Sequence, residues 1–295
     1  MMAMKVQYLS DGANSNRNDD HIAVFSCPEM TDLLVIDGGT SVAARDYIDP
    51  VHSDVAWFVK TFAAEIERVA SPERSQQDSV HAAIGAVQSA YKHMADGAPV
   101  PVHARPIAAI TWVRISGRDG QTKATLYSLG DCKTLLRTAN GDVIDPDPYF
   151  NPQETVLQAE IARLRAAGVI DADERRERML PMLRARRESQ HRSPAPTVLC
   201  LQPQGPFQAR TCTLELATGD GLLVMTDGFY RLVDPYGLYT DAGLLARCEE
   251  RGPAALIDEL RAFERSAGDT ANRAVKAADD ASAVYWVAGE SVRQN

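Results

Sequence analysis

The chain has 295 residues, 45% hydrophobic and 24% charged, a composition that suits a soluble globular protein with an ample core and no need of disulfide staples. A formal charge of -9 argues against a general nucleic-acid binder, which usually carries a basic face. No apolar run approaches the roughly 18–20 residues that span a bilayer, and five cysteines without a C-x-x-C pair suggest neither a disulfide framework nor a zinc site, so a cytoplasmic protein is expected.

His21–Phe25 and Asp32–Ile36 read as short strands bounded by turn residues. The second runs into Asp37-Gly38-Gly39-Thr40, a sharp loop. Val55, Phe58, Val59, Phe62, Ile66 and Val69 then recur at helical spacing, as do Val80, Ile84, Val87, Tyr91 and Met94. Ser71-Pro72-Glu73 breaks the two helices. Each has one apolar stripe and should lie on a flat apolar surface such as a sheet.

Strands resume at Ala108–Ile115 and Thr122–Leu129, joined by the hairpin-like Gly117-Arg118-Asp119-Gly120. Lys133–Arg137 follows the tight turn Gly130-Asp131-Cys132. Residues 152–193 differ in character, with nine arginines and seven acids. They read as two charged helices, Gln153–Ala167 and Asp171–Gln190, forming a surface insertion or flap laced by i,i+4 ion pairs. Thr197–Leu201, Thr211–Leu216 and Gly221–Thr226 are the next candidate strands. A helix pair near Asp241–Glu250 and Pro253–Ser266 follows, and Ser282–Ala288 closes the chain as a strand. Helices grouped between blocks of strands predict an α+β sandwich with largely antiparallel pairing. One domain over residues 1–295, with the insertion at 152–193, is the economical reading.

The informative pattern is an aspartate in a turn beside an apolar strand. It occurs at Asp37-Gly38, Gly130-Asp131, Asp227-Gly228 and Asp279-Asp280, and Asp19-Asp20 precedes a fifth strand. Asp-Gly is also the commonest turn pair, so one instance says little. Carboxylates at strand ends sit at the rim of a sandwich, where several can meet. Grouped like charges repel and raise one another's pKa, and hard cations such as Mg²⁺ or Mn²⁺ relieve that repulsion.

In order along the chain, five segments resemble motifs of the metal-dependent protein phosphatases of the type 2C (PPM) family. Asn18-Asp19-Asp20 is similar to the N-E-D element, Val35-Ile36-Asp37-Gly38-Gly39 to V-x-D-G, and Ser128-Leu129-Gly130-Asp131-Cys132-Lys133 to the G-D-S-R turn. Leu223-Val224-Met225-Thr226-Asp227-Gly228-Phe229 is similar to L-x-S-D-G-L/F, and Asp279-Asp280-Ala281-Ser282-Ala283-Val284 to the D-N-x-T-x-(I/V) ending.

The resemblance implies a four-layer α-β-β-α sandwich of two mainly antiparallel sheets flanked by helix pairs. It implies Asp37 as the bridge between two Mg²⁺ or Mn²⁺ ions, with the Gly38 carbonyl, Asp227 and Asp279 as further ligands. Asp20 would hold the second ion through water, helped by Asp19, and Asp131 would serve a third, weaker one. The implied reaction is hydrolysis of phosphoserine or phosphothreonine in a protein substrate, opposing a Ser/Thr kinase, by a metal-activated water and without a covalent phosphoenzyme. Three departures stand out. Gly39 replaces a histidine of many eukaryotic members, and Asp280 replaces an asparagine. Ser15 stands where a phosphate-gripping arginine is usual, which makes Arg17 the candidate clamp. A phosphatase-like module that binds phosphorylated partners without cleaving them, and another kind of metal-dependent phosphoesterase, are the competing readings.

Overall fold

The computed structural model describes residues 5–13, 17–97, 99–118, 121–267 and 278–289. Ser15, and Asp119 and Gly120 of the expected hairpin turn, lie outside the described residues. Among the described residues, eleven strands and six α-helices follow in chain order: β1 (Lys5–Asp11), β2 (His21–Cys27), β3 (Met30–Gly38), α1 (Asp54–Val69), α2 (Gln76–Met94), β4 (Ile107–Arg118), β5 (Gln121–Leu129), β6 (Lys133–Arg137), β7 (Val143–Ile144), α3 (Pro152–Ala166), α4 (Ala172–Arg192), β8 (Leu199–Cys200), β9 (Arg210–Leu216), β10 (Gly221–Met225), α5 (Asp227–Tyr230), α6 (Asp241–Ala267) and β11 (Ala281–Val287).

The strands form two sheets, ordered β1-β11-β10-β6-β7 and β2-β3-β4-β5-β9, with β8 paired to the start of β4. Every described pairing is antiparallel. Successive side chains of a strand point to opposite faces, and the layering follows from that rule. In β3, Leu33 and Val35 join a core with Val113, Leu126, Val224, Val284 and Trp286, which fills the space between the sheets. Leu34 and Ile36, one residue out of phase, join Phe58, Phe62, Ile66, Val80 and Val87 of α1 and α2. In β10, Leu222 and Val224 face the other sheet, while Leu223 and Met225 pack with Leu244, Leu256, Ile257 and Leu260 of α6. Helices, sheet, sheet and helices are thus the four layers, as the resemblance implied.

Details of the chain order differ from the expectation. Of Thr197–Leu201 only Leu199–Cys200 is strand, because Ile107 and Ala108 are the only residues of β4 it pairs with. Edge strand β1 and the single turn α5 carried no clear periodic signal. The expected break at Gly252-Pro253 is present inside α6, where Gly252 takes φ 80°. A buried ion pair stitches β3 to β4: Arg114 Nε and Trp112 Nε1 donate to Asp32 Oδ1 at 2.9 and 2.8 Å. Among the described residues no helix is long and apolar enough to cross a membrane.

Candidate active site

The sandwich brings the ends of β3, β5 and β10, and the starts of β2 and β11, to one rim. Asp37 is the penultimate residue of β3 and lies opposite Ala109 of β4. Gly38 has no room for a side chain: a Cβ there would stand 2.2 Å from the Asp19 carbonyl oxygen. That close approach brings the Asp19-Asp20 segment against the Asp37-Gly38 turn. Gly228 acts likewise at the β10 end, where a Cβ would stand 1.9 Å from the Asp280 carbonyl oxygen. Two glycines beside two aspartates therefore let three strand ends touch through backbone.

The carboxylates that meet there disturb one another. Burial raises the Asp37 carboxyl well above the ordinary range, and repulsion from Asp227, Asp20, Asp131 and Asp279 raises it further. Asp20 is 4% exposed. Its pKa is also raised, first by burial, with the Thr226 hydroxyl opposing and Asp280 and Asp227 adding repulsion. Asp227 is open to solvent on its outer face, yet loss of hydration and repulsion from Asp279 and Asp131 push it up to about 6. Its carboxyl lies within hydrogen-bonding reach of Asp37. Five aspartates from separate motifs thus share one electrostatic neighbourhood.

Individual protein donors orient these carboxylates. Thr226 Oγ1 donates to Asp20 Oδ2 at 2.8 Å. Arg231 Nη2 donates to Asp279 Oδ2 at 2.8 Å, and Asn151 Nδ2 donates to Asp131 Oδ2 at 2.8 Å. Asp19 Oδ1 accepts from Ser53 Oγ at 2.5 Å. Ser53 is the N-cap of α1, held at φ 127°, and its hydroxyl also accepts the Ala56 N–H. Among the described residues, no group of three or more His, Cys, Asp or Glu side chains could hold a metal ion as it stands. The set still fits a hard divalent cation in its chemistry: all oxygen, several carboxylates, and mutual repulsion that a cation would relieve.

Arg17 stands apart from this group. Its Nη2 pairs with Asp46 Oδ2 at 3.2 Å, and its side chain is 49% exposed. His21 begins β2 and is made less basic by burial. His103 pairs with Glu188 of α4 at 3.3 Å. Cys132 is buried beside the cluster, and burial, then Asp37 and Asp131, raise its thiol well above the ordinary range.

Sequence reasoning missed Thr226, Ser53, Arg231 and Asn151. Thr226 sits inside a quoted motif, so adjacency to Asp227 was a signal. Ser53 and Asn151 were legible as helix caps, a serine before Asp-Val-Ala and an asparagine before proline. Arg231 carried no signal. Asp280 gains a role that the sequence did not suggest: its two oxygens accept the N–H groups of Ala13 and Asp19 at 2.8 and 2.7 Å, tying the N-terminal segment to β11.

No family model matches the sequence, and no curated protein matches it. Solved structures do. A Streptococcus agalactiae serine/threonine phosphatase superposes with a TM-score of 0.55 at 14% identity, over 97% of this chain and 99% of that one. The Mycobacterium tuberculosis serine/threonine phosphatase PstP/Ppp gives 0.55 at 16% identity, again over 97% and 99%. Stp1, a serine/threonine phosphatase from Staphylococcus aureus, gives 0.54 at 13% identity over 99% and 96%. Identities this low speak to architecture, and the superpositions cover 97 to 99% of the chain. By its own topology and by these likenesses, the chain has the fold of the metal-dependent, type 2C serine/threonine phosphatases.

Proposed function

We propose that the protein is a metal-dependent phosphatase that hydrolyses phosphoserine and phosphothreonine monoesters in proteins. The observation that carries this reading is the meeting of Asp20, Asp37, Asp131, Asp227 and Asp279 at one rim, with the carboxyls of Asp20, Asp37 and Asp227 raised by burial and by neighbouring charge.

Asp37, the Gly38 carbonyl, Asp227, Asp279 and Asp20 would hold two Mg²⁺ or Mn²⁺ ions, and Asp131 would serve a third. Bound there, the ions would neutralise charge on the phosphoryl oxygens and lower the pKa of an attacking water. The protein's own part is orientation. Thr226 fixes Asp20, Arg231 fixes Asp279, and Asn151 fixes Asp131. Arg17, half exposed and held by Asp46 and the Pro50 carbonyl, would turn its fork toward a substrate phosphate and grip two oxygens at once. Cys132 stays protonated and does not compete as a nucleophile. The same reading takes residues 1–295 as one phosphatase domain with 152–193 as its flap. It makes the substrate a phosphorylated protein, and sets the enzyme against a Ser/Thr kinase in the cytoplasm.

Phosphate release from phosphothreonine and phosphoserine peptides, with Mn²⁺ or Mg²⁺ and after chelation, tests the proposal. Turnover should require the ion and fall by about a hundredfold or more in Asp37→Asn. No release with either ion, or an Asp37→Asn variant as fast as wild type, overturns it. Peptide binding without release would make the protein a phosphopeptide-binding module. Preference for a diester or a nucleotide would make it another kind of phosphoesterase.

A further inference from the structure

The loop that leaves Asp37-Gly38 runs past the last β3–β4 register pair, Gly38 with Ala108, and α4 supplies donors to its carbonyls. Arg187 Nη2 donates to Gly39 O at 3.3 Å and to Thr40 O at 3.0 Å. Arg176 Nη2 donates to Ser41 O at 2.9 Å, and Arg184 Nε donates to Val42 O at 2.9 Å. Four consecutive carbonyls are thus held by three arginines of one helix, more than 130 residues further along the chain. At roughly 100° per residue, positions 176, 184 and 187 fall within about 80° of one another, so one face of α4 does this work.

The other side of the loop is fixed as well. The Gly39 N–H donates to Ile107 O at 2.9 Å. His191, on the same face of α4, contacts Arg105 O at 3.2 Å. Arg187 is 7% exposed. A guanidinium so poorly hydrated is stable only where its N–H groups find acceptors, and here those acceptors are backbone carbonyls of the site loop. Ordinary solvated helices do not bury an arginine for this purpose. Donors that carry full charge also make stronger bonds than neutral ones.

We infer that α4 is a strap whose Arg176, Arg184 and Arg187 position the Gly39–Val42 loop, and through it the Asp37 carboxylate and Gly38 carbonyl, for binding a divalent cation. The three arginines are positioning residues and touch neither substrate nor ion. The cation-binding half of this inference rests on the phosphatase reading, whereas the bracing of the loop does not.

Two measurements on the full chain separate these parts. The first is amide hydrogen exchange over residues 39–48 without added metal. The second is Mn²⁺ affinity by calorimetry. Arg187→Met and the less buried Arg184→Ala should each speed exchange in 39–48 by about tenfold while β4 and β5 keep wild-type rates. Both should weaken Mn²⁺ binding by about tenfold, and Arg187→Lys should recover part of that loss. Arg178→Ala, on the opposite face of α4 and paired to Glu174, should change neither readout. Unchanged exchange in Arg184→Ala overturns the strap. Faster exchange with unchanged Mn²⁺ affinity overturns the positioning role and leaves α4 a structural brace. A wild-type protein that binds no Mn²⁺ sinks the phosphatase reading and the positioning role together, and the exchange result still decides the bracing.

Discussion

A thiol becomes reactive as its thiolate, and burial among carboxylates suppresses that form. Cys132 lies beside Asp131 under both influences. Cys200 and Cys248 are pushed up to about 12 by burial alone. Cys27 is exposed and Cys212 half-buried, and all five are free. In the native protein at about pH 8, a disulfide-exchange reagent should therefore label Cys27 quickly, Cys212 slowly, and the other three only after unfolding. Mass spectrometry of the labelled peptides reads this directly, and rapid labelling of Cys132 would contradict its burial. The same residues show how far single positions are legible. The strand-end aspartates could be picked out because an apolar strand and a glycine flank them. Arg231 and the bracing role of Asp280 could not, because each depends on a partner far along the chain: Asp279 for Arg231, and Ala13 and Asp19 for Asp280.

Among elements, β3 and α4 are opposite cases. The run Leu33–Ile36 declares a strand buried on both faces, because every residue is apolar and two cores claim them alternately. The sequence of α4 is mostly charged and reads as a solvated helix, and its ion pairs Arg178–Glu174 and Arg192–Glu188 fit that reading. Yet Arg187 and His191 are buried, since their acceptors are backbone carbonyls, which carry no sequence signature. His191 makes this testable. Burial, with smaller repulsion from Arg187 and Arg105 and an opposing bond to the Arg105 carbonyl, lowers its pKa to about 4 from an ordinary 6.5. Its Nδ1 has no partner among the described residues. On acidification the unfolded chain takes up this proton near 6.5, while the folded chain refuses it until about 4. Stability present above 6.5 is therefore lost as the pH falls toward 4. Between about pH 7 and pH 5, wild type should lose roughly 2 kcal/mol more than His191→Gln, read from urea denaturation at each pH. Equal losses in the two proteins would mean that His191 is solvated or already charged.

Across the whole molecule, stability is unevenly supplied. Three large apolar cores lie between the sheets and under each helix layer. The alternation that builds them is written into the strands, which is why the layering could be read before the structure. What sequence could not supply is the convergence of the rims, since that depends on the register of antiparallel pairs and on two close backbone contacts at Gly38 and Gly228. The insertion has a fourth, small cluster of its own, made by Ile161, Leu164, Val169 and Met179, with Leu157, Met182 and Leu183 at its edge. Local opening costs least where few apolar contacts must break. Amides of α3 should accordingly exchange orders of magnitude faster than those of β3, β10 and β11, whose side chains are almost all buried. The last turns of α4, tied to the sandwich by Arg184, Arg187 and His191, should fall between these limits. Exchange followed peptide by peptide gives the order. Protection in α3 equal to that of β10 would mean that the insertion unfolds only with the sandwich, and that the bonds along α4 hold the whole flap rather than its last turns.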